Sequence, residues 1–381
     1  MVMKILDTKE GKTEIDPVVL FHPFIPKETS EKVAEVLSTR WIGQGPLVDR
    51  FEFEFEAIIG VGKSLAVGSG TDALHLAYLL AGVGPGDEVI CPVFTCTATN
   101  LPLLYIGATP VFADVDPKTM NISPSSIRSL ITEKTKAIVT VDYGGLPCDY
   151  AEINKIAAEF GLKVIDDAAH AIGAKYQETL IGAVADFTTY SFQAIKHITT
   201  GDGGMLHVKD PELAEKGRRL RWFGIDRKAK FGGIWANDIT EIGYKYQMTD
   251  IGAAMGLAGL AHLPVVLSHR RELLKAYEEG LKDVPGLYNV GSESQNDRLH
   301  SAWLHTILIE NREELQKKLA AHRVESGQVH YRNDMYTIFG KRRDYLENMD
   351  AIESRYLVLP LHMKVGIKEV EKICGLIKSG W

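Results

Sequence analysis

The stretch SLAVGSGTDALHLAYLLAG, residues 64–82, decides the fold. It begins as a β-rich run, passes through a turn of small residues and continues as an amphipathic helical run. The same alternation repeats from about Lys63 to about Val208. It predicts an α/β fold in which a mostly parallel mixed sheet is flanked by helices on both faces. Ligands of such sheets bind at the carboxyl ends of the strands, so chemistry is expected there.

The pattern changes after Tyr246, where helical runs come first. TDIGAAMGLAGL (249–260) is followed by LSHRRELLKAYEEGLK (267–282), and then by a strand-like LHTILI (304–309). Asn311 is well placed to cap the helix that comes next, because short polar side chains accept hydrogen bonds from the free N–H groups of a first turn. These elements predict a smaller C-terminal α/β domain.

The length of 381 residues suits two domains. We expect a large domain over residues 1–249, with residues 1–30 leading into it, and a small domain over residues 250–381. No low-complexity linker separates them, so close packing is expected.

The composition indicates a globular protein of the cytoplasm. Hydrophobic residues make up 45% and charged residues 24%, and no apolar run approaches the length needed to cross a bilayer. The net charge of -7 argues against a nucleic-acid surface. The four cysteines show no paired spacing, so neither a metal site nor a disulfide framework is expected.

Small residues follow the first strand of the alternation. Gly68, Ser69, Gly70 and Thr71 stand between that strand and its helix. Free backbone N–H groups at a helix start bind anions, and the hydroxyl of Thr71 adds a donor. The segment therefore indicates a phosphate site, with a plain strand-to-helix turn as the alternative.

Two further strand ends carry reactive or planar groups. KVIDDAAHAIG (163–173) delivers Asp166 and Asp167, with His170 close behind. A carboxylate there can keep a pyridine nitrogen protonated, although an N-cap or loop role is the alternative. Phe94 follows another strand and could stack on a flat cofactor, while a core aromatic is the more common role of such a ring.

The segment SFQAIKHITTGDGG (191–204) places Lys196 between a strand and a glycine-rich stretch. A lysine amine held in a site can bind a carbonyl compound as an imine, whereas an ordinary lysine is a solvated surface charge. Together these segments offer a phosphate-binding turn, an aromatic ring for stacking, an acid for a ring nitrogen and an amine for an aldehyde. These are the groups that bind pyridoxal 5'-phosphate.

In order and spelling these segments resemble the DegT-type family of nucleotide-sugar aminotransferases. Its members are pyridoxal-phosphate enzymes of the aspartate-aminotransferase fold, also called fold type I. The resemblance covers most of the chain. It is carried by RWIGQGPLVDRFEFEFEAIIG (40–60), GSGTDALHLA (68–77), IDDAAHAIGA (165–174), SFQAIKHITTGDGG (191–204), GYKYQMTDIGAAMGL (243–257) and LPLHMKVGIKEVEKIC (359–374).

The resemblance implies a role for each matching residue. Lys196 would form the imine with the cofactor and move the proton between substrate and cofactor carbons. Asp167 would face the pyridine nitrogen, and His170 would stand near the ring hydroxyl, where the family usually has glutamine. Phe94 would stack on the ring. The residues implied to hold the phosphate are Gly70, Thr71 and Ser191.

The chain departs from the family at GYKYQM (243–248), where the family commonly reads GYNYRM. The family's asparagine reaches the phosphate of the neighbouring subunit's cofactor, and Lys245 could serve there as a point charge. The family's arginine is often assigned to a substrate carboxylate. Gln247 cannot form the two-pronged pair that an arginine gives, so carboxylate recognition is left open.

Four residues are candidates for contact with substrate. Arg227 and Arg332 could replace the missing arginine, with surface charges as the alternative. Trp41 and His330 lie in loops that are expected to touch the sugar.

The resemblance implies a homodimeric aminotransferase with a shared active site. It would move an amino group from glutamate to a keto group of a nucleotide-linked deoxysugar, in amino-sugar, surface-polysaccharide or secondary-metabolite biosynthesis. One alternative is a sugar dehydratase of the same fold, in whose known members histidine replaces the lysine. The other is a regulatory protein without catalytic activity.

Overall fold

A computed structural model describes residues 17–227, 238–294 and 296–381. Its central sheet has seven strands in the order β1-β10-β9-β6-β5-β2-β4. These strands are β1 (Lys63–Val67), β2 (Glu88–Pro92), β4 (Thr109–Ala113), β5 (Thr135–Val141), β6 (Lys163–Asp167), β9 (Phe187–Ser191) and β10 (Gly204–Val208). Short strands β3 (Phe94–Thr95), β7 (Lys175–Tyr176) and β8 (Thr179–Leu180) lie outside it.

Four helices connect strands of the large sheet: α3 (Gly70–Leu80), α4 (Thr97–Tyr105), α5 (Pro124–Leu130) and α6 (Tyr150–Phe160). Before them along the chain come α1 (Thr29–Leu37) and α2 (Pro46–Ile59), and α7 (Pro211–Leu220) follows the last strand. The helix α3 begins where Ser69 caps it, since the Ser69 hydroxyl accepts a 3.0 Å hydrogen bond from the Asp72 amide.

The sheet is mixed, as the alternation predicts. Strands β9, β6, β5, β2 and β4 are parallel, while β10 pairs antiparallel with both β1 and β9. Asp167 is paired with Val141 on one side and Thr189 on the other, so its strand lies inside the sheet. Two hydrophobic cores cover the two faces of the sheet, and the prediction of a mostly parallel sheet flanked by helices is confirmed.

The two helical runs after Tyr246 form one helix, α8 (Asp250–Leu281), and not two. Pro264 lies inside it and interrupts the sequence pattern without ending the helix. Residues of its first half pack in the core of the large domain and residues of its second half in a third core. A single helix therefore contributes to two cores, and the boundary between residues 249 and 250 stays a prediction.

Among the described residues, α8 is long and apolar enough to cross a membrane, with a mean hydropathy of 1.7 over its most apolar window. This part of the helix is 56% buried within the protein. The helix packs against α1, α2 and a C-terminal helix, which is the environment of a core helix.

The small domain has a three-stranded antiparallel sheet in the order β11-β13-β15. Its strands are β11 (Tyr288–Asn289), β13 (His305–Leu308) and β15 (Tyr356–Leu359), and the helices that follow in this part of the chain are α9 (Arg312–Ala321), α10 (Glu347–Ile352) and α11 (Ile367–Lys378). Two further short strands, β12 (Arg298–Leu299) and β14 (Tyr331–Arg332), pair with β7 and β3 instead. Val18 pairs with Val324, so the first described residues pack on this domain. Asn311 precedes α9 with a φ of 51°, and its side chain makes no capping hydrogen bond. Its left-handed backbone conformation replaces the N-cap geometry expected from the sequence.

Candidate active site

The site lies at the carboxyl ends of β6 and β9, which are neighbours in the sheet. Asp167 is the last residue of β6, and β9 ends at Ser191, five residues before Lys196. Because the two strands are parallel, both groups leave the sheet at the same edge. The charge of Lys196 lowers the pKa of Asp167, and the charge of Asp167 raises that of Lys196, as expected for groups at the same edge.

Lys196 is an amine held in a low-dielectric environment. Burial lowers its pKa to about 8, although the nearby carboxylate of Asp167 partly opposes that shift. The Nζ atom lies 3.7 Å from the centroid of the Trp303 ring. Lys196 is therefore not a solvated surface charge, which was the alternative interpretation of its motif.

Asp167 is 6% exposed and is held by two donors. Its Oδ2 accepts a 2.7 Å hydrogen bond from the Thr99 hydroxyl, and its Oδ1 accepts a 3.2 Å bond from the Ala169 amide. Burial raises the pKa of the carboxyl, and these hydrogen bonds and the charge of Lys196 act in the opposite direction. A protonated ring nitrogen beside it would further stabilise the carboxylate.

The glycine-rich turn before α3 lies against the end of β9. A Cβ atom added to Gly70 would approach the Ser191 Cβ to 3.1 Å, so this close packing favours glycine. Gly70 and Thr71 are the first residues of the helix, where backbone N–H groups have no partner within the helix. The structure thus brings together the three residues expected to hold a phosphate, Gly70, Thr71 and Ser191.

Phe94 lies in one of the two hydrophobic cores that cover the sheet. It is 1% exposed, and its ring packs edge-on against Tyr143 and Tyr356. These contacts agree with the core-aromatic alternative, and its strand pairs with that of Arg332. Stacking of Phe94 on a cofactor ring stays a prediction. Cys96, two residues further on, is half-buried and influences the pKa of Lys196.

His170 belongs to a stack of rings beside Lys196. Its ring lies 3.7 Å from that of Trp303 at an interplanar angle of 11°, and 5.3 Å from that of His330. Burial and the charge of Lys196 hold the pKa of His170 well below its ordinary value, so the imidazole is neutral at pH 7. The structure therefore brings both predicted histidines, His170 and His330, to the lysine.

Lys245 and Arg227 lie together in a second cluster. The Nζ of Lys245 is 3.6 Å from the centroid of Trp222, and the guanidinium carbon of Arg227 is 4.8 Å from the same ring. Arg227 also donates a 3.4 Å hydrogen bond to the carbonyl of Gln44, in the loop that contains Trp41. Three of the residues predicted to contact substrate or the partner's cofactor are thus neighbours here.

Arg332 has a different role from the one expected. Its guanidinium is buried and paired with Asp334 at 2.6 Å, with Glu353 at 3.3 Å and with Asp350. These carboxylates raise the pKa of Arg332 and neutralise its charge. The structure therefore assigns Arg332 to an internal ion-pair network and not to recognition of a substrate carboxylate.

Two residues of the site are not apparent from the sequence patterns. Thr99 reaches Asp167 from α4, and Trp303 reaches Lys196 from the segment before β13. A threonine within a helical run and a tryptophan beside a strand carry no distinctive local signal. Both were identifiable only from contacts between distant parts of the chain.

The residues at this edge fit pyridoxal 5'-phosphate. The amine of Lys196 is neutral more readily than that of an ordinary lysine, and Asp167 offers a buried carboxylate. The Nδ1 atom of His170 is buried without a hydrogen-bond partner among the described residues, so it has capacity to bind a ligand. An aromatic aldehyde bearing a phosphate, a ring nitrogen and a ring hydroxyl matches these groups.

Comparison with known proteins agrees with the geometry. The model of the DegT/DnrJ/EryC1/StrS aminotransferase family matches residues 23–378. The chain is 41% identical over 269 residues to the spore coat polysaccharide biosynthesis protein SpsC of Bacillus subtilis, covering 70% of this chain and 69% of SpsC. It is 35% identical to the GDP-perosamine synthase of Escherichia coli O157:H7, covering 95% of this chain and 98% of that protein.

The fold matches solved structures equally well. Spr1654 of Streptococcus pneumoniae, solved in a PLP form, superposes with a TM-score of 0.88 at 28% identity. The match covers 95% of this chain and 98% of Spr1654. The family match spans nearly the whole sequence, and the lysine, the aspartate and the glycine turn lie at one edge of the sheet. The chain therefore belongs to the DegT/DnrJ/EryC1/StrS aminotransferase family.

Proposed function

We propose that this protein is a pyridoxal-phosphate-dependent aminotransferase that moves an amino group from glutamate to a keto group of a nucleotide-linked sugar. Family membership supports transamination. The likeness to GDP-perosamine synthase, whose name contains a nucleotide-linked amino sugar, supports the substrate class. The PLP form of Spr1654 supports the cofactor.

The observation that carries the proposal is the half-buried Lys196 amine with its lowered pKa beside the buried Asp167 carboxylate, next to the turn at Gly70. Transamination with this cofactor requires at least an amine, an acid and a phosphate-binding turn at one edge of the sheet. Because the lysine is present, the aminotransferase is favoured over a dehydratase of the same fold. The intact site also argues against a purely regulatory role.

The bound cofactor supplies an aldehyde that bonds to amines and a protonated ring that withdraws electrons from the substrate carbon. Lys196 would hold the aldehyde through its Nζ when no substrate is bound. Its Nζ, when free, would take a proton from the substrate carbon as a general base and later give a proton back as a general acid. A pKa of about 8 suits both halves of this transfer, because an acid-base catalyst works best near the ambient pH.

Asp167 and His170 would contact the cofactor ring while Lys196 acts as base and acid. The Asp167 carboxylate would favour a proton on a ring nitrogen, and Thr99 orients that carboxylate through its 2.7 Å hydrogen bond. His170, neutral at pH 7 and with its Nδ1 free of a partner among the described residues, would form a hydrogen bond with a ring hydroxyl. In the second half of the reaction the same groups act in reverse on the keto sugar. Overall, glutamate and keto sugar become 2-oxoglutarate and amino sugar.

The proposal includes a homodimer whose sites are shared. Lys245 is exposed, and it lies against Trp222 with Arg227 nearby. Two cations on one aromatic ring form a surface suited to a phosphate or carboxylate of the neighbouring subunit's site. Trp41 and His330 remain proposed contacts of the sugar. A cytoplasmic location is also proposed, because all four cysteines are free thiols.

The decisive experiment incubates the purified protein with pyridoxal 5'-phosphate, glutamate and a panel of nucleotide-linked keto sugars. We expect an amino sugar together with an equal amount of 2-oxoglutarate, both measured by mass spectrometry. Formation of a dehydrated sugar without consumption of glutamate would favour the dehydratase. Failure of the purified protein to bind the cofactor would favour the regulatory alternative. Lys196→Ala is the control, and it should yield neither product.

A further inference from the structure

Trp303 is fixed at both its backbone and its ring. Its amide donates a 2.8 Å hydrogen bond to the carbonyl of Gly144, and its indole Nε1 donates a 3.0 Å bond to the carbonyl of Ile195. Ile195 directly precedes Lys196, so the tryptophan is tied to the loop that carries the lysine. The side chain is 1% exposed and has little freedom to move independently of that loop.

The ring of Trp303 offers its face to the amine of Lys196. The Nζ atom lies 3.7 Å from the ring centroid, well within the range of a cation–π contact. The electron-rich face of an indole attracts an ammonium and interacts much less with a neutral amine. This contact is strongest where water is excluded; Trp303 is buried and Lys196 is half-buried.

Resting on the function proposed above, we propose that Trp303 is a positioning residue that holds Lys196 on its ring face when the lysine is released from the cofactor and carries a proton. The lysine must be free for half of each catalytic cycle, and a long flexible side chain would otherwise sample many rotamers. Docked on the indole, it stays within reach of the substrate carbon. The Trp303 face thus favours the released state of the lysine over the bonded one.

The charge of Lys196 responds to more than the indole. The titratable or charged residues that interact with it electrostatically are Asp167, Cys96, Arg270, His170, His197 and His330. Asp167 favours the ammonium, and Arg270 disfavours it. The contribution of the indole must therefore be measured by changing the ring and leaving these groups in place.

The test measures the pKa of Lys196 from the pH dependence of its acetylation by acetic anhydride, read by mass spectrometry of the Lys196 peptide. The full-length protein is used in its cofactor-free form and in the form whose cofactor carries the amino group. Site-specific fluorination of Trp303 weakens the negative face of the ring with little change of size. We expect the pKa of Lys196 to fall with each fluorine, so that acetylation at pH 7 rises about three- to tenfold across the series.

Substitutions at Trp303 separate the cation–π contact from simple packing. Trp303→Leu should lower the pKa of Lys196, while Trp303→Phe, which keeps an aromatic face, should lower it less. If the indole only excludes water, Trp303→Leu would admit water and raise the pKa toward that of a free lysine. Phe21→Leu is the matched control. Phe21 stacks on Trp303 at 5.8 Å, so its loss disturbs packing without removing the indole face.

The outcomes are distinct from those that test the enzymatic function. A pKa that is unaffected by fluorination, or that rises in Trp303→Leu, would overturn the proposed role of Trp303 even if the protein aminates sugars. A falling pKa supports the docking role regardless of which sugar is the substrate. If Trp303→Leu does not fold, the fluorinated series decides, because it preserves the shape of the side chain.

Discussion

The hydroxyl of Thr99 donates a 2.7 Å hydrogen bond to Oδ2 of Asp167, which ties α4 to the end of β6. Thr99→Val keeps the shape of the side chain and removes this donor, so the carboxylate should be less stable. A hydrogen bond to a charged group contributes about 1.5–3 kcal/mol, so affinity for pyridoxal 5'-phosphate should fall about tenfold or more. Thr99→Ser, which keeps the hydroxyl, is the control. Fluorescence titration with the cofactor measures both, and equal affinities in Thr99→Val and the unaltered protein would contradict this role.

Two adjacent acids of β6 should behave differently on substitution. Asp167→Asn removes the charge that would keep the ring nitrogen protonated, and we expect kcat to fall on the order of a hundredfold or more. Asp166 interacts instead with Thr140 at 3.2 Å and with the charge of Asp142. Burial raises the pKa of Asp166 well above its ordinary value, and the charges of Asp142 and Asp167 act in the same direction.

Asp166→Asn keeps the size of a buried side chain whose charged form is already disfavoured. It should retain kcat within about twofold, since it preserves the shape of the side chain and removes only a charge that burial opposes. Steady-state kinetics of both variants with the same sugar provide the comparison. A large loss in Asp166→Asn with none in Asp167→Asn would exchange the roles of the two acids.

Uptake of the cofactor should depend on pH through the titration of Lys196. Only the neutral amine attacks an aldehyde, and burial lowers the pKa of Lys196 to about 8. The observed rate at which Lys196 bonds to the aldehyde should therefore rise with pH below about pH 8 and level off above it. For an ordinary lysine this rate would continue to rise up to about pH 10.4. Stopped-flow absorbance after mixing cofactor-free protein with pyridoxal 5'-phosphate measures the profile, and Lys196→Ala should give no signal.

Shared sites predict that two defective subunits can complement each other. Lys196→Ala inactivates the subunit that carries it, whereas Lys245→Ala should weaken the site of the neighbouring subunit. A mixed dimer would contain one site that lacks both lysines and one intact site. Co-expression of the two variants with different tags, purification of the mixed dimer and assay should recover about half of the unaltered activity per dimer. If Lys245 acts within its own subunit, the mixed dimer will not exceed the activity of Lys245→Ala alone.

The sequence was informative where local order sets the geometry. The alternation from Lys63 onward implies parallel strands, and parallel strands bring their carboxyl ends to one edge. Asp167, Ser191 and Lys196 follow strands, so their convergence was foreseeable. Gly70 was foreseeable for the same reason, since it opens the helix that follows the first strand.

The remaining features depend on contacts that join distant segments. In the sequence, Arg332 resembles a free cation. In the structure it pairs with Asp350, which lies in α10, and with Glu353, which directly follows α10. Phe94 follows a strand, but Tyr356 of the small domain covers its ring. Trp303 shows the same dependence, since its partner Ile195 is 108 positions away along the chain. None of these pairings produces a periodicity that a sequence pattern could reveal.

The most direct test of the central claim is reductive trapping of the cofactor. The protein is incubated with pyridoxal 5'-phosphate, reduced with sodium borohydride, digested and mapped by mass spectrometry. The account predicts a pyridoxyl phosphate group on Lys196, formed in Asp166→Asn as in the unaltered protein. A group found on Lys245 or any other lysine instead, or on none, would contradict it.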